Sequence, residues 1–302
     1  MVLLGPAAIV TILLQGIFFG GILSLIAIGL SLIYGVSGVL NLAHGDFLVL
    51  GGIATALLFS AAGLNPFLSI IVVMPIFAAV GVLSGLLLKK TLSAHTLELS
   101  FAGSSLVTLG LSNLIEGLGT PLAASFGYPF FAVRGFSVGS ISFLGVTLSD
   151  AFVIAFIAVI LISILMTLWV YRTSYGRLIR ATIQDREAAT MLGGDVQKVT
   201  LVTFGIGTAL ASLAGVITIL ITNLDPSVGL VFTVDAFAVV VIGGLGSFYG
   251  SLIGGFTIGF VTSASEVFLE ELGQNGSEWG AAIPLLILIL FLIARPRGLL
   301  RR

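Results

Sequence analysis

Asn41, His44 and Asp46 stand within six residues of one another, in a stretch from residue 1 to 88 that carries no charged side chain besides Asp46. An amide, an imidazole and a carboxyl that close can exchange hydrogen bonds and hold a polar solute, but they do not make a metal set. The chain has no Cys, and its other histidine, His95, is remote in sequence. A second group, Gly243, Gly244, Gly246 and Ser247, offers exposed backbone and tight turning rather than acid or base. A third runs Asp185-Arg186-Glu187-Ala188-Ala189-Thr190-Met191-Leu192-Gly193 and offers a small surface for a partner. The lysines are Lys89, Lys90 and Lys198, and none follows a Gly, so the Gly-Lys-Ser/Thr end of a phosphate-binding loop is missing. No Gly-x-Gly-x-x-Gly of a dinucleotide-binding turn occurs. The sequence therefore predicts no catalytic residue, no bound cofactor and no metal in this chain.

The elements that position these groups follow from composition. Of 302 residues 58% are hydrophobic and 8% charged, with mean hydropathy +1.25, where a soluble domain carries about 25% charge. A net charge of −1 offers no basic face for nucleic acid. Soluble enzyme, disordered tail and nucleic-acid binder are excluded, and an all-α polytopic membrane protein remains, read as a single transmembrane domain over 1–302. Runs 1–43, 47–88, 151–171, 199–224 and 236–265 lack Asp, Glu, Lys and Arg, and each reaches the roughly 20 residues of a spanning helix. The first run has no basic residue ahead of it and reads as a retained helix, not a cleaved signal. Helices are expected near 9–34, 45–61, 66–88, 98–119, 150–171, 199–222 and 280–294. With a more complicated stretch over 235–268, that makes about 8 to 9 membrane segments.

Basic residues collect at Lys89–Lys90, Arg172–Lys198 and Arg295–Arg302, which predicts a cytoplasmic side for all three and for the C-terminus, with the N-terminus outside. Residues 266–278 hold four acids and no base, and 223–234 one acid and no base, so both read as external. The stretch between them must then enter the membrane and return, turning near 243–250, where glycine is too dense for helix interior. A second break is expected within 35–52. Paired broken helices point to a transport path, because helix ends present unpaired backbone dipoles there.

Each group has a plainer alternative. Asn41, His44 and Asp46 could form an interfacial loop facing lipid headgroups, or line a protected path through the membrane. The Gly-x-x-x-Gly pairs, Gly16/Gly20, Gly81/Gly85, Gly246/Gly250, Gly250/Gly254 and Gly255/Gly259, read chiefly as close helix packing. The loop 172–198, with five basic and three acidic residues, could be a solvated positive-inside loop. Its local signals instead predict a short helix: Asp185 as N-cap, Glu187 in the first turn, Ala188 and Ala189 as helix formers, and Gly193 or Gly194 as left-handed C-cap.

Glu187-Ala188-Ala189 followed by Gly193 in a long cytoplasmic loop resembles the EAA loop of ABC-importer permeases. Asn41-Leu42-Ala43-His44-Gly45-Asp46, Arg180-Ala181-Thr182 with Asp185-Arg186-Glu187, Gly243-Gly244-Leu245-Gly246-Ser247 and Arg295-Pro296-Arg297-Gly298-Leu299 together resemble branched-chain amino acid permeases of the LivH type, over about residues 12 to 300. The Ile-x-Leu-Pro that follows the EAA glycine in many other importers is missing, which implies a shortened contact. The resemblance implies an inner-membrane permease that pairs with a second, related permease, two cytoplasmic ATP-binding subunits that use ATP and Mg, and an external solute-binding protein. It implies a path near Asn41, His44, Asp46, Gly243, Gly244, Gly246 and Ser247, and ATPase coupling through Asp185, Arg186, Glu187, Ala188, Ala189 and Gly193. The cargo implied is a branched-chain or other hydrophobic amino acid. Urea or a short-chain amide is the nearest alternative, and an ion-coupled carrier is disfavoured because Glu116 and Asp235 are expected near helix ends.

Overall fold

The structure, a computed structural model, describes residues 5–88, 97–125, 130–133, 136, 139–143, 146–273, 275 and 282–294. Lys89, Lys90, His95, Ser277 and the ending 295–302, on which part of the expected orientation rests, lie outside the described residues. The helices are α1 Pro6–Ser37, α2 His44–Ala62, α3 Ile70–Leu87, α4 Leu97–Ser125, α5 Asp150–Arg172, α6 Ser174–Gln184, α7 Arg186–Met191, α8 Val196–Ile219, α9 Gly229–Gly243, α10 Phe248–Glu271 and α11 Ala282–Ala294. Seven of them, α1, α2, α3, α5, α8, α9 with the 3-10 turn before it, and α10, are long and apolar enough to cross a membrane. α11 is apolar but has 13 residues, and α4 has 29 residues but a lower hydropathy. The all-α, multi-pass expectation therefore holds.

Two features exceed it. Ser140–Phe143 (β1) and Val146–Ser149 (β2) pair antiparallel, Ser140 opposite Ser149, where the alternation Ser-Ile-Ser-Phe and Val-Thr-Leu-Ser carries the period of two that a strand needs. The loop 172–198 folds as two helices rather than one. The Thr173 side chain accepts from the Gly176 N–H at 3.0 Å and starts α6, and Ile179 and Thr182 turn inward.

Small residues set the packing, because lipid supplies no hydrophobic drive between helices and close backbone approach must do the work. α1 and α8 are buried almost throughout. α1 runs antiparallel to α10: a Cβ on Gly259 would lie 2.3 Å from Gly20 Cα, and one on Gly255 2.3 Å from Ser24 Oγ. At one end of this pair Gly35 lies against Gly246 and the Ile183 side chain of α6. We call this the loop end. At the far end the Ser263 hydroxyl donates to the Ile12 carbonyl at 3.2 Å. α8 packs on α2 and α3, with Gly215 against Leu48 and Gly81 against Phe204 and Thr208. Such contacts explain the pairs Gly16/Gly20, Gly81/Gly85 and Gly255/Gly259 as packing, whereas Gly246 stands in a turn.

Both expected breaks are present. α1 stops at Gly38, whose φ of 72° caps the helix while its N–H donates to the Tyr34 carbonyl at 2.7 Å. α9 and α10 form a hairpin whose turn, residues 244–247, uses φ of 103° at Gly244 and 77° at Gly246. Gly243 and Gly250 touch directly across its base, where a Cβ on Gly250 would sit 2.0 Å from the Gly243 carbonyl oxygen.

Candidate functional site

The front break is wrapped in protein. Asn41, His44 and Asp46 are each at most 1% exposed, so the interfacial-loop alternative is overturned: no lipid headgroup reaches these side chains. The chain leaves α1 at the loop end and returns inward before α2 begins, because the His44 ring reaches the Ile26 carbonyl, nearly three helical turns back along α1. Nonhelical backbone at that depth needs partners from protein, and three helices supply them. The Leu42 N–H donates to Thr108 Oγ1 of α4 at 3.1 Å. The Gly45 N–H donates to Thr233 Oγ1 of α9 at 2.8 Å, and that hydroxyl donates to the Leu42 carbonyl at 3.0 Å. His44 Nε2 donates to the Ile26 carbonyl at 3.1 Å. Glycine permits the approach: a Cβ on Gly229 would lie 2.0 Å from Asp46 Oδ1.

The node is incompletely satisfied. Asn41 Oδ1 accepts from the Ala43 N–H at 3.2 Å while Nδ2 has no partner. His44 Nδ1, left as the acceptor nitrogen once Nε2 donates, has none either. Asp46 lies in the first turn of α2, where the helix dipole favours a carboxylate, and its Oδ2 is unpartnered. Leaving a buried polar atom unpaired costs about 1–3 kcal/mol, and three such atoms fall in this one segment.

The second group lies elsewhere. Gly243, Gly244, Gly246 and Ser247 form the α9–α10 turn at the loop end, where Ser247 accepts from the Gly250 N–H at 3.1 Å and caps α10. The two groups are not brought together: Thr233 and Gly243 are ten residues apart on α9, about 15 Å of helix. α9 is the rod between them.

Beside that turn sits the third group. Asp185 Oδ1 accepts from the Ala188 N–H at 2.9 Å and caps α7 as expected, and Gly193, with φ of 84°, ends it. Ala189 is buried at 4% while Arg186, Glu187 and Ala188 are exposed. Sequence reasoning missed Met191 and Leu192, which are 84% and 88% exposed at the tip; the available signal was two adjacent apolar residues in the most charged stretch of the chain. It also missed how the tip is moored. The Arg180 guanidinium donates to the Val170 carbonyl at the end of α5 and lies over the Tyr171 ring at 4.9 Å. Tyr171 in turn stacks on Tyr249 of α10 at 4.9 Å. A cavity of about 20 Å³, the size for one water, lies between Arg180, Ile183 and Gly246. Beyond α7, Asp195 accepts from the Lys198 N–H and pairs with its ammonium at 3.0 Å, which holds the Asp195 carboxyl below the usual carboxylate range.

The expected positions of Glu116 and Asp235 need correction. α4 runs six residues beyond its expected end, so Glu116 lies well inside it, and Asp235 is 5% exposed in the middle of α9.

Known proteins resemble this chain along its length. Residues 12–292 match the family described as "Branched-chain amino acid transport system / permease component". The probable branched-chain amino acid transport permease protein LivH of Methanocaldococcus jannaschii is 30% identical, over 95% of this chain and 91% of that protein. The high-affinity branched-chain amino acid transport system permease protein BraD of Pseudomonas aeruginosa is 26% identical over 96% and 95%. The ribose import permease protein RbsC of Bacillus subtilis is 29% identical over 91% and 81%. With a family match spanning nearly every described helix, this multi-pass membrane chain belongs to the permease components of branched-chain amino acid transport systems, a family of ABC-importer permeases.

Proposed function

We propose that this chain forms the membrane path of an ATP-driven importer for branched-chain or other hydrophobic amino acids. Its partners are a second, related permease, two cytoplasmic ATPases that bind ATP and Mg, and an external solute-binding protein. The single observation that carries this reading is the family match over 12–292. The relatives named for branched-chain amino acids cover more of this chain than the ribose permease does, which favours an amino-acid cargo.

In this reading 1–302 acts as one transmembrane domain, and 172–198 is its cytoplasmic coupling loop, with the C-terminus on the same side and the N-terminus outside. α7 docks on an ATPase: Asp185 and Gly193 keep it ordered, Arg186 and Glu187 fix register by charged hydrogen bonds, and the exposed Ala188, Met191 and Leu192 fill an apolar groove. Ala189 packs inward and joins the tip to the body. ATP-driven movement of α7 then passes through α6, by way of Ile183 and Arg180, to the turn at Gly243, Gly244, Gly246 and Ser247. α9 carries it to Asn41, His44 and Asp46, which stand directly behind the wall of the path. A rigid rod between a surface lever and a buried polar node is a shear device of the kind that opens one side while closing the other.

The test is reconstitution with copurifying neighbouring-gene products in proteoliposomes. ATP-dependent uptake of labelled leucine, competed by valine and isoleucine but not by urea or ribose, is expected. Uptake of urea or ribose with no competition by leucine would overturn the cargo, and leucine uptake without ATP hydrolysis would overturn the machine.

A further inference from the structure

α4 presents three unlike faces. Ser104, Thr108, Ser112, Ile115 and Ala123 are buried against the rest of the bundle. Val107, Leu114, Leu118 and Leu122, 42–67% exposed, form a flank suited to lipid. Over 110–121 the other flank holds Gly110, Asn113, Glu116, Gly117 and Thr120 and no large apolar side chain, and one turn earlier it continues in the exposed Leu106 and Leu109. At Gly110 and Gly117 an added Cβ would meet nothing within 4 Å, so the space beside them is open. An ionisable side chain and an amide facing hydrocarbon are costly, and such groups face a water path or protein.

The chemistry of that flank is one-sided. Asn113 Nδ2 donates to the Leu109 carbonyl at 2.9 Å and Thr120 Oγ1 to the Glu116 carbonyl at 3.0 Å. The Thr120 hydroxyl hydrogen and one of the two Asn113 N–H groups are thus spent on the helix, which leaves acceptor lone pairs on both side chains and one N–H on Asn113. Glu116 adds a carboxyl one turn from the buried Ser112, on the side of α4 whose buried face packs toward the α2 segment that carries Asp46, 1% exposed and with Oδ2 unpartnered. Among the described residues every Lys and Arg falls within 172–198, away from this depth. Two carboxyls and two acceptor oxygens, with no Lys or Arg among the described residues of this part of the bundle, fit a cationic head on a passing solute.

We propose that the Asn113–Glu116–Gly117–Thr120 flank of α4 lines the substrate path, and that Glu116, backed by Asp46, receives the ammonium group of the amino acid in transit. The inference rests on the amino-acid reading above. The hydrophobic side chain passes over Gly110 and Gly117, where no Cβ intrudes.

The chain has no native Cys, so single substitutions report cleanly. Asn113→Cys, Gly117→Cys and Thr120→Cys, with Leu114→Cys and Leu118→Cys on the lipid flank, are to be made in the assembled transporter in proteoliposomes. Each is treated with two membrane-impermeant thiosulfonates, one bearing trimethylammonium and one bearing sulfonate. Modification of the first three but not the last two is expected, with the cationic reagent favoured by about tenfold beyond its advantage toward a small free thiol, at a site this close to a carboxylate. Adding Glu116→Gln to Asn113→Cys should bring that ratio down to the one the two reagents show with a small free thiol. Protection of all five positions in the assembly, equal modification of both flanks, or a charge preference unmoved by Glu116→Gln would overturn the proposal. Leucine uptake on the same vesicles separates the two readings. Cation preference without leucine uptake would sink the cargo and leave an acidic path standing, whereas leucine uptake with protected positions would sink the path assignment alone.

Discussion

Gly193 provides a direct test of whether coupling depends on an ordered α7. Its φ is 84°, and a Cβ built there would meet nothing within 4 Å, so the penalty for a side chain is purely conformational. Placing an L residue in the left-handed region costs about 1–2 kcal/mol, more when the side chain is β-branched, and much less for Asn. α7 has six residues, too few to hold together on propensity, and both its caps are exposed, so nothing offsets that cost. A loss of about 1.4 kcal/mol is a tenfold fall in the ordered fraction. Gly193→Val should therefore raise hydrogen exchange about tenfold at the amides of Leu192 and Gly194, which donate to Ala188 and Ala189 at 3.1 and 2.9 Å. Gly193→Asn should leave both protected. In proteoliposomes holding all subunits, leucine-stimulated ATP hydrolysis and leucine uptake should fall together for Val and persist for Asn. Unchanged exchange in Gly193→Val would refute the strain argument. Faster exchange with normal uptake would show that the ordered tip is not what transmits the stroke.

At the α9–α10 turn, sterics and backbone strain separate. Gly250→Ala forces the helices apart, costs about 1–3 kcal/mol by overpacking, and should lower the unfolding temperature in detergent. Gly246→Ala meets only ordinary contacts at 3.4 and 3.5 Å but must hold φ of 77°, so the protein should fold and insert while uptake drops; the measurements are thermal unfolding and uptake side by side. Thr233→Val leaves the Gly45 N–H buried without an acceptor, a loss of about 1–3 kcal/mol, and Thr233→Ser should restore stability. For orientation, a cysteine at Ser227 should label only from outside and cysteines within 172–198 only from the cytoplasm, and labelling of the 172–198 loop from outside would reverse the assignment of sides.

The spans were legible because a membrane helix satisfies its own backbone and announces itself by the absence of charge. Both breaks were legible for the complementary reason: Gly38 and the 243–250 cluster interrupt otherwise continuous apolar runs. α6 was hidden because 172–198 was read for charge, while Leu178, Ile179 and Ile183 carried a helical apolar face through it. The extent of α4 was misread because Gly117, Gly119 and Pro121 look like a helix end, and within a bundle they are tolerated. The burial of Asn41, His44 and Asp46 lay beyond local reading, since the groups that hold the backbone between them at Leu42 and Gly45, Thr108 and Thr233, come from other helices with no sequence mark joining them to residue 41. The division of the expected path residues between opposite ends of α9 was equally invisible, because it depends on which way the chain returns after α1.

The return of the chain after Gly38 has a consequence for biosynthesis. The Gly45 N–H finds its acceptor 188 residues later in the chain, and at about 5–20 residues per second that acceptor is synthesised roughly 10–40 s after the donor. Until then the nascent segment 39–46 cannot settle at its final depth, because its polar groups would meet hydrocarbon, so it must wait at the interface while the later helices are inserted. The front break is thus among the last parts of the molecule to mature.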